Sequence, residues 1–246
     1  MGQFFEYEMT VDSRDVDGWG RCRPSAVLGY LQEAATLAAE DGGFGREKTL
    51  EYHAFWMLAR IWFRLDRPLR WEEPLTIRTW HREDKGATMY RDYDLFVDGE
   101  AVGECVSAWV LASMDTRQII RLATVHELDG TGGGELCKNK KLSKLRLPRE
   151  LELAGRRKLR YSDTDLNGHV NNTRYADFAC DALEMERLGP DRFLSSMQIG
   201  YLAECRPGEE LLLWTKEQDG THFVQGMDEG GKSRFEAALI FGEVLP

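Results

Sequence analysis

Apolar positions along this chain follow two periods, and the whole arrangement is written twice. A spacing of 3.6 residues marks an amphipathic helix, and it places Val27, Leu28, Leu31, Ala34, Ala35 and Ala38 on one face. Pro24 suits the first helical position. The same spacing returns at Tyr175, Phe178, Ala179, Ala182 and Met185, with Gly189-Pro190 as the expected stop. Behind each helix come strand-like runs. In the first half they are FWMLARIWFRLDRPL, EPLTIRTWHRED, TMYRDYDLFVDG and EAVGECVSAWVLAS; in the second, SSMQIGYLAECR, EELLLWTKEQDG, THFVQGMDEGG and KSRFEAALIFGEVL. Asp98-Gly99 and Gly230-Gly231 separate the later runs as hairpin turns do. The order strand, loop, helix and about four antiparallel strands therefore occurs twice. It predicts an α+β chain in which one long helix covers each sheet.

The repeat can be laid residue on residue. RDVDGWGRCRPSAVLGYLQEAA (14–35) falls on SDTDLNGHVNNTRYADFACDAL (162–183) at an offset of 148, bringing Asp15 onto Asp163, Asp17 onto Asp165 and Gly20 onto Gly168. Residues 129–155, opening on DGTGGGE, read as the linker between two halves.

Composition narrows the setting. No apolar run approaches the ~20 residues of a membrane span, and MGQFFEYEMT shows no basic stretch leading into an apolar one, so a cytoplasmic protein is expected. The five cysteines are odd in number and scattered without a C-x-x-C pair, which speaks for reduced thiols rather than a disulfide framework or a zinc site. A net charge of −10 argues against nucleic-acid or anionic-membrane binding. Between Lys138 and Arg160, however, ten Lys/Arg face only Glu150 and Glu152, a local +8 that leaves −18 for the rest. That stretch reads either as a solvated linker or as a landing surface for an acidic partner.

Candidate chemistry concentrates in YSDTDLNGHVNN, residues 161–172. Asp163, Asp165, Asn167 and Gly168 match the start of a calcium loop, but the twelfth position, which needs a bidentate Glu, is Arg174. No metal site is expected, and His53, His81, His126 and His222 lie apart in sequence, as core or surface residues would. A purely structural reading makes the loop a helix initiator with Asn171 or Asn172 as N-cap. The first copy keeps both aspartates yet carries Trp19 and Arg21 in place of Asn167 and His169, so turn-making does not demand that pair.

DLNGHVNNTRY resembles the D-x-N-x-H-V-N-N signature of acyl-acyl-carrier-protein thioesterases, and LQEAATLAAEDGGFG, ARIWFRLDRPLRWEEPLTIRTW and SAWVLASMDTRQIIR resemble the same family's first half, in order. The resemblance implies two tandem hot-dog domains: an acyl-chain-binding domain over 1–128, the linker, and a catalytic domain over 156–246. It implies hydrolysis of a fatty acyl chain from the phosphopantetheine arm of an acyl carrier protein, with no cofactor, and is compatible with a homodimer. Two rival readings stay open: a coenzyme A thioesterase of the same architecture, and an acyl-binding protein without turnover.

Carried over residue by residue, the family's catalytic Asp, Asn and His fall on Asp165, Asn167 and His169, and its further acid on Glu204. Cys205 matches a cysteine that a papain-like scheme would make the nucleophile. Strand alternation places Cys205 in the apolar row of Met197, Ile199, Tyr201 and Ala203, and Glu204 on the other face. A carboxylate on an enclosed strand is the more basic of two, which favours Glu204 as base and leaves Asp165 to orient its neighbours. Backbone N–H groups near Val170 and Asn171, at the helix start, are expected to face the oxyanion. In the first half Pro68 stands where the second has Glu204, at a local offset of 136, so one site per chain is expected.

Overall fold

The structure, a computed structural model, describes residues 4–125 and 141–244. The first run holds β1 (Phe5–Thr10), α1 (Pro24–Asp41), α2 (Arg46–Glu51), β2 (Ala54–Leu65), β3 (Pro74–Lys85), β4 (Thr88–Val97), β5 (Glu100–Ser113) and β6 (Ile119–Ile120). The second holds β7 (Glu152–Lys158), α3 (Arg174–Ala182), β8 (Arg192–Tyr201), β9 (Glu210–Gln218), β10 (Thr221–Asp228) and β11 (Ser233–Glu243). Each of the eight predicted runs contains a strand, but FWMLARIWFRLDRPL leaves it after Leu65 and SSMQIGYLAECR after Tyr201. Residues 152–155, inside the stretch read as linker, already belong to β7. No described helix is long and apolar enough to cross a membrane.

The chain divides into two compact units. One contains β1, the later part of α1, α2, most of β2, and β3 to β6; the other contains Asp12–Leu28, Arg64–Trp71 and the chain from Ser143 onward. The strand order in the first is β1-β3-β4-β5-β2, with β6 beside β5, and in the second β7-β9-β10-β11-β8. These are the same order, which is the sequence repeat expressed as topology.

Patterning accounts for the cores. Along α1 the predicted face is buried at every position, Val27, Leu28, Leu31, Ala34, Ala35 and Ala38. Trp62 and Trp80 are core, while Trp56 and Trp109 pack partly buried around Phe44, Met89 and Leu111. A buried polar chain runs beside them: the Tyr93 hydroxyl lies 2.9 Å from Ser107 Oγ, to which Trp109 Nε1 donates at 2.7 Å.

In the second unit α3 packs on β7, β9, β10 and β11. Tyr175 is the hub, edge-on to Phe178 at 5.8 Å, Tyr201 at 5.7 Å and Phe235 at 5.1 Å. Each such side chain contributes roughly 1.5–3 kcal/mol by leaving water. The helix is shorter than its periodicity predicts. Glu184 takes a left-handed conformation just beyond Ala182 and ends it, so Met185 falls in a separate short turn and Gly189-Pro190 is not the stop.

Candidate active site

Both Asx loops lie in the second unit and fold by the same hydrogen bonds. The Asp17 N–H donates to the Arg21 carbonyl at 2.8 Å, and the Asp165 N–H to that of His169 at 2.9 Å. Gly20 N–H closes on Asp17 O at 3.0 Å, and Gly168 N–H on Asp165 O at 3.1 Å. Asp17 Oδ1 accepts the Trp19 N–H at 2.9 Å, as Asp165 Oδ1 accepts that of Asn167 at 2.8 Å, a pair of Asx turns. Gly20 and Gly168 have φ of 72° and 73°, a region that favours glycine. The loops are also tied down alike: Cys22 N–H donates to Leu69 O at 2.7 Å and Val170 N–H to Cys205 O at 2.9 Å. Leu69 and Cys205 are 136 apart, so Pro68 does stand at the Glu204 position.

On this shared frame the chemistry differs. In the first copy Arg21 is buried, and its Nε donates to Asp17 Oδ2 at 2.9 Å while Nη1 donates to the Gly189 carbonyl at 2.8 Å. The guanidinium fills the loop and uses its aspartate. In the second copy His169 Nε2 lies 3.4 Å from Glu204 Oε2, with the histidine side chain 14% exposed and the glutamate 43%. Arg206 Nη2 lies 3.4 Å from the same Nε2. Nε2 can present a proton toward Glu204 or a lone pair toward Arg206 but not both, so the two approaches suit different tautomers or protonation states of one nitrogen. Asp165 is half-buried as the frame of the turn, and the Asn167 side chain is exposed. Thus His169 and Glu204 are brought together. Among the described residues the Asn167 carboxamide is hydrogen-bonded to neither.

Three expectations need correction. The Val170 and Asn171 N–H groups do not face a vacant oxyanion position, because Val170 donates to Cys205 O and Asn171 to Asp163 O at 2.8 Å. Nor is Glu204 on an enclosed strand. β8 ends at Tyr201, and the Leu202 and Ala203 N–H groups both donate to Arg234 O, a bulge that opens the chain toward solvent. The N-cap expectation is also corrected: the helix takes Thr173 as its N-cap without a side-chain cap bond, and Asn171 Oδ1 accepts the Thr173 N–H at 2.9 Å as an Asx turn just ahead of it.

Cys205 is fully buried. Burial pushes its thiol up, against a smaller opposite effect from the Tyr175 hydroxyl, so it stays protonated near neutral pH. Its carbonyl, not its sulfur, meets the loop. Sequence reasoning missed Arg206 and Arg234. Arg234 donates to the Glu204 carbonyl and from Nε to Asp228 Oδ2 at 3.0 Å, and thereby holds the Glu204 turn to β11. The Lys232 N–H and this guanidinium keep the Asp228 carboxyl below its usual range. Arg206 could have been noticed beside Cys205, but nothing in the sequence links Arg234 to a residue 30 positions away.

A family model for the acyl-ACP thioesterase N-terminal domain matches residues 2–126, and one for the acyl-ACP thioesterase C-terminal domain matches 150–242. Oleoyl-acyl carrier protein thioesterase 1, chloroplastic, of Arabidopsis thaliana is 25% identical over 250 residues, covering 90% of this chain and 67% of its own length. This chain spans between 54% and 67% of the length of that protein and two further plant relatives. Among solved structures, an acyl-ACP thioesterase from Bacteroides thetaiotaomicron superposes with a TM-score of 0.86 at 24% identity, covering 97% of this chain and 98% of that one. The 12:0-ACP thioesterase from Umbellularia californica gives 0.79 at 21%, covering 98% and 97%. At these identities the structures speak for the fold, two hot-dog units, and the family models for kinship. The chain belongs to the acyl-ACP thioesterase family.

Proposed function

We propose that this chain hydrolyses fatty acyl-carrier-protein thioesters to free fatty acid and carrier protein, at one site per chain. The observation that carries the reading is the 3.4 Å approach of His169 Nε2 to Glu204 Oε2, on a loop whose counterpart has Arg21 and Pro68 instead. In this scheme Glu204 takes a proton from a water lying beside the pair, within reach of both side chains. The water oxygen bonds to the thioester carbon, the C–S bond breaks, and the proton returns to the departing phosphopantetheine sulfur. The oxyanion needs donors other than Val170 and Asn171. The Asn167 carboxamide is one. The His169 N–H is the other: its first-copy counterpart, the Arg21 N–H, donates to Asp17 Oδ1 at 3.0 Å, a bond His169 does not make to Asp165 among the described residues. Asp165 orients the loop that carries both.

The same reading assigns acyl-chain binding to the hot-dog domain over 1–128, catalysis to 156–246, and a carrier-docking role to the basic segment, of which Lys138 and Lys140 lie outside the described residues. A cytoplasmic setting and a homodimer complete it. Among the described residues Cys22, Cys105, Cys180 and Cys205 form no disulfide.

Turnover of carrier-bound substrates from short to long chain, by wild type and His169→Ala, Glu204→Ala and Cys205→Ala, tests the assignment. His169→Ala and Glu204→Ala should lower kcat by about 10²–10⁴-fold, with Cys205→Ala retaining most activity. An active Glu204→Ala beside a dead Cys205→Ala would reverse it.

A further inference from the structure

Among the described residues the two most exposed large hydrophobic side chains are Tyr161, at 90%, and Leu166, at 86%, and both belong to the candidate catalytic loop. They stand five positions apart on one short stretch whose first turn is closed at Thr164: the Tyr161 carbonyl accepts the Thr164 N–H at 3.1 Å and the Thr164 hydroxyl at 2.7 Å.

The first copy supplies an internal control. At the offset of 148, Tyr161 corresponds to Ser13, Leu166 to Gly18, Arg160 to Asp12 and Lys158 to Thr10. Ser13 and Gly18 occur in a loop closed by the same hydrogen bonds, so neither the aromatic ring nor the leucine is needed to fold it. A lone exposed apolar side chain is ordinary, but two on one short loop, neither used by the fold, make a candidate contact surface. Cations adjoin the same loop. Lys158 and Arg160 are exposed, and among the described residues neither has an ion-pair partner; Arg206 reaches His169.

We propose that Tyr161 and Leu166, framed by Lys158, Arg160 and Arg206, form the surface on which the carrier protein seats while its arm delivers the thioester to His169 and Glu204. This rests on the hydrolase reading above and gives it a docking face. The occupant is an acidic protein rather than a nucleotide, because two apolar side chains five residues apart offer a broad contact, whereas an adenine ring would use Tyr161 alone. It also narrows the basic segment to its last two cations, the ones beside the loop.

The test pairs kinetics with binding. Tyr161→Ser/Leu166→Gly and, separately, Lys158→Thr/Arg160→Asp install the first copy's residues. Substrates are a dodecanoyl thioester on acyl carrier protein, on coenzyme A and on pantetheine; binding uses the dodecanoyl amide of the carrier. Each variant should raise KM and Kd for the carrier forms by about tenfold and leave the pantetheine thioester unchanged. Unchanged carrier KM and Kd would overturn the proposal. So would equal losses on all three thioesters, which mark damage to the loop, a loss confined to coenzyme A, which marks a nucleotide site, or a change in oligomeric state, which marks a second copy as the occupant. Wild type that binds the carrier amide but hydrolyses nothing would instead sink the hydrolase reading and leave docking standing.

Discussion

Cys205 and Glu204 are adjacent in sequence, and their environments separate their roles. The cysteine is enclosed, its thiol raised by burial, while the carboxylate reaches His169 across a turn open to solvent. A nucleophilic cysteine needs thiolate character and access, and Cys205 has neither. Brief alkylation of the native protein near neutral pH should therefore leave Cys205 unmodified by mass spectrometry and the activity intact. Activity lost in step with Cys205 labelling would return the thiol to the mechanism. The alternation of side chains separated these two residues at the sequence level, although β8 ends before reaching them. What it could not give was the proximity of Glu204 to His169. That depends on the bulge at Leu202 and Ala203 and on the Arg234 contacts, which join residues from three stretches of chain.

At the level of elements, the loop was legible because its fold is local. Asx turns and a glycine in the left-handed region are written in the residues themselves, and the repeat exposed them twice. The length of α3 was less legible: apolar spacing continues past Ala182, but the left-handed Glu184 ends the helix. The oxyanion donors were misjudged for a related reason. The helix starts only at Arg174, so Val170 and Asn171 lie ahead of its unpaired N–H groups, and their own are taken by the carbonyls of Cys205 and Asp163. The duplicated loop yields a controlled experiment. An added Cβ meets nothing within 4 Å at Gly20 or Gly168, so the cost of alanine is conformational at both. Gly20→Ala and Gly168→Ala should each lose roughly 1–2 kcal/mol of stability in denaturant unfolding. Only Gly168→Ala should also lower kcat, because only that loop carries His169. Equal loss of kcat from both would mean that the first loop takes part in turnover.

Over the whole molecule, charge is distributed as unevenly as chemistry. The −10 total divides into +8 over residues 138–160 and −18 elsewhere. On the docking proposal, an acidic carrier is drawn to this one segment, whose last residues, Lys158 and Arg160, lead into the candidate catalytic loop. Long-range attraction of this kind acts on encounter more than on the bound state. It is also screened, since the Debye length falls from about 10 Å at 0.1 M salt to about 3 Å at 1 M. Raising salt should therefore lower kcat/KM for carrier-bound substrate through KM, with kcat held. Hydrolysis of an uncharged pantetheine thioester should change little over the same range. Apolar contacts do not weaken with salt in this way, so on the docking proposal the residual affinity at high salt reports Tyr161 and Leu166, and the lost part the cations. A carrier profile as flat as that of pantetheine would show that the basic segment takes no part in bringing substrate to the site.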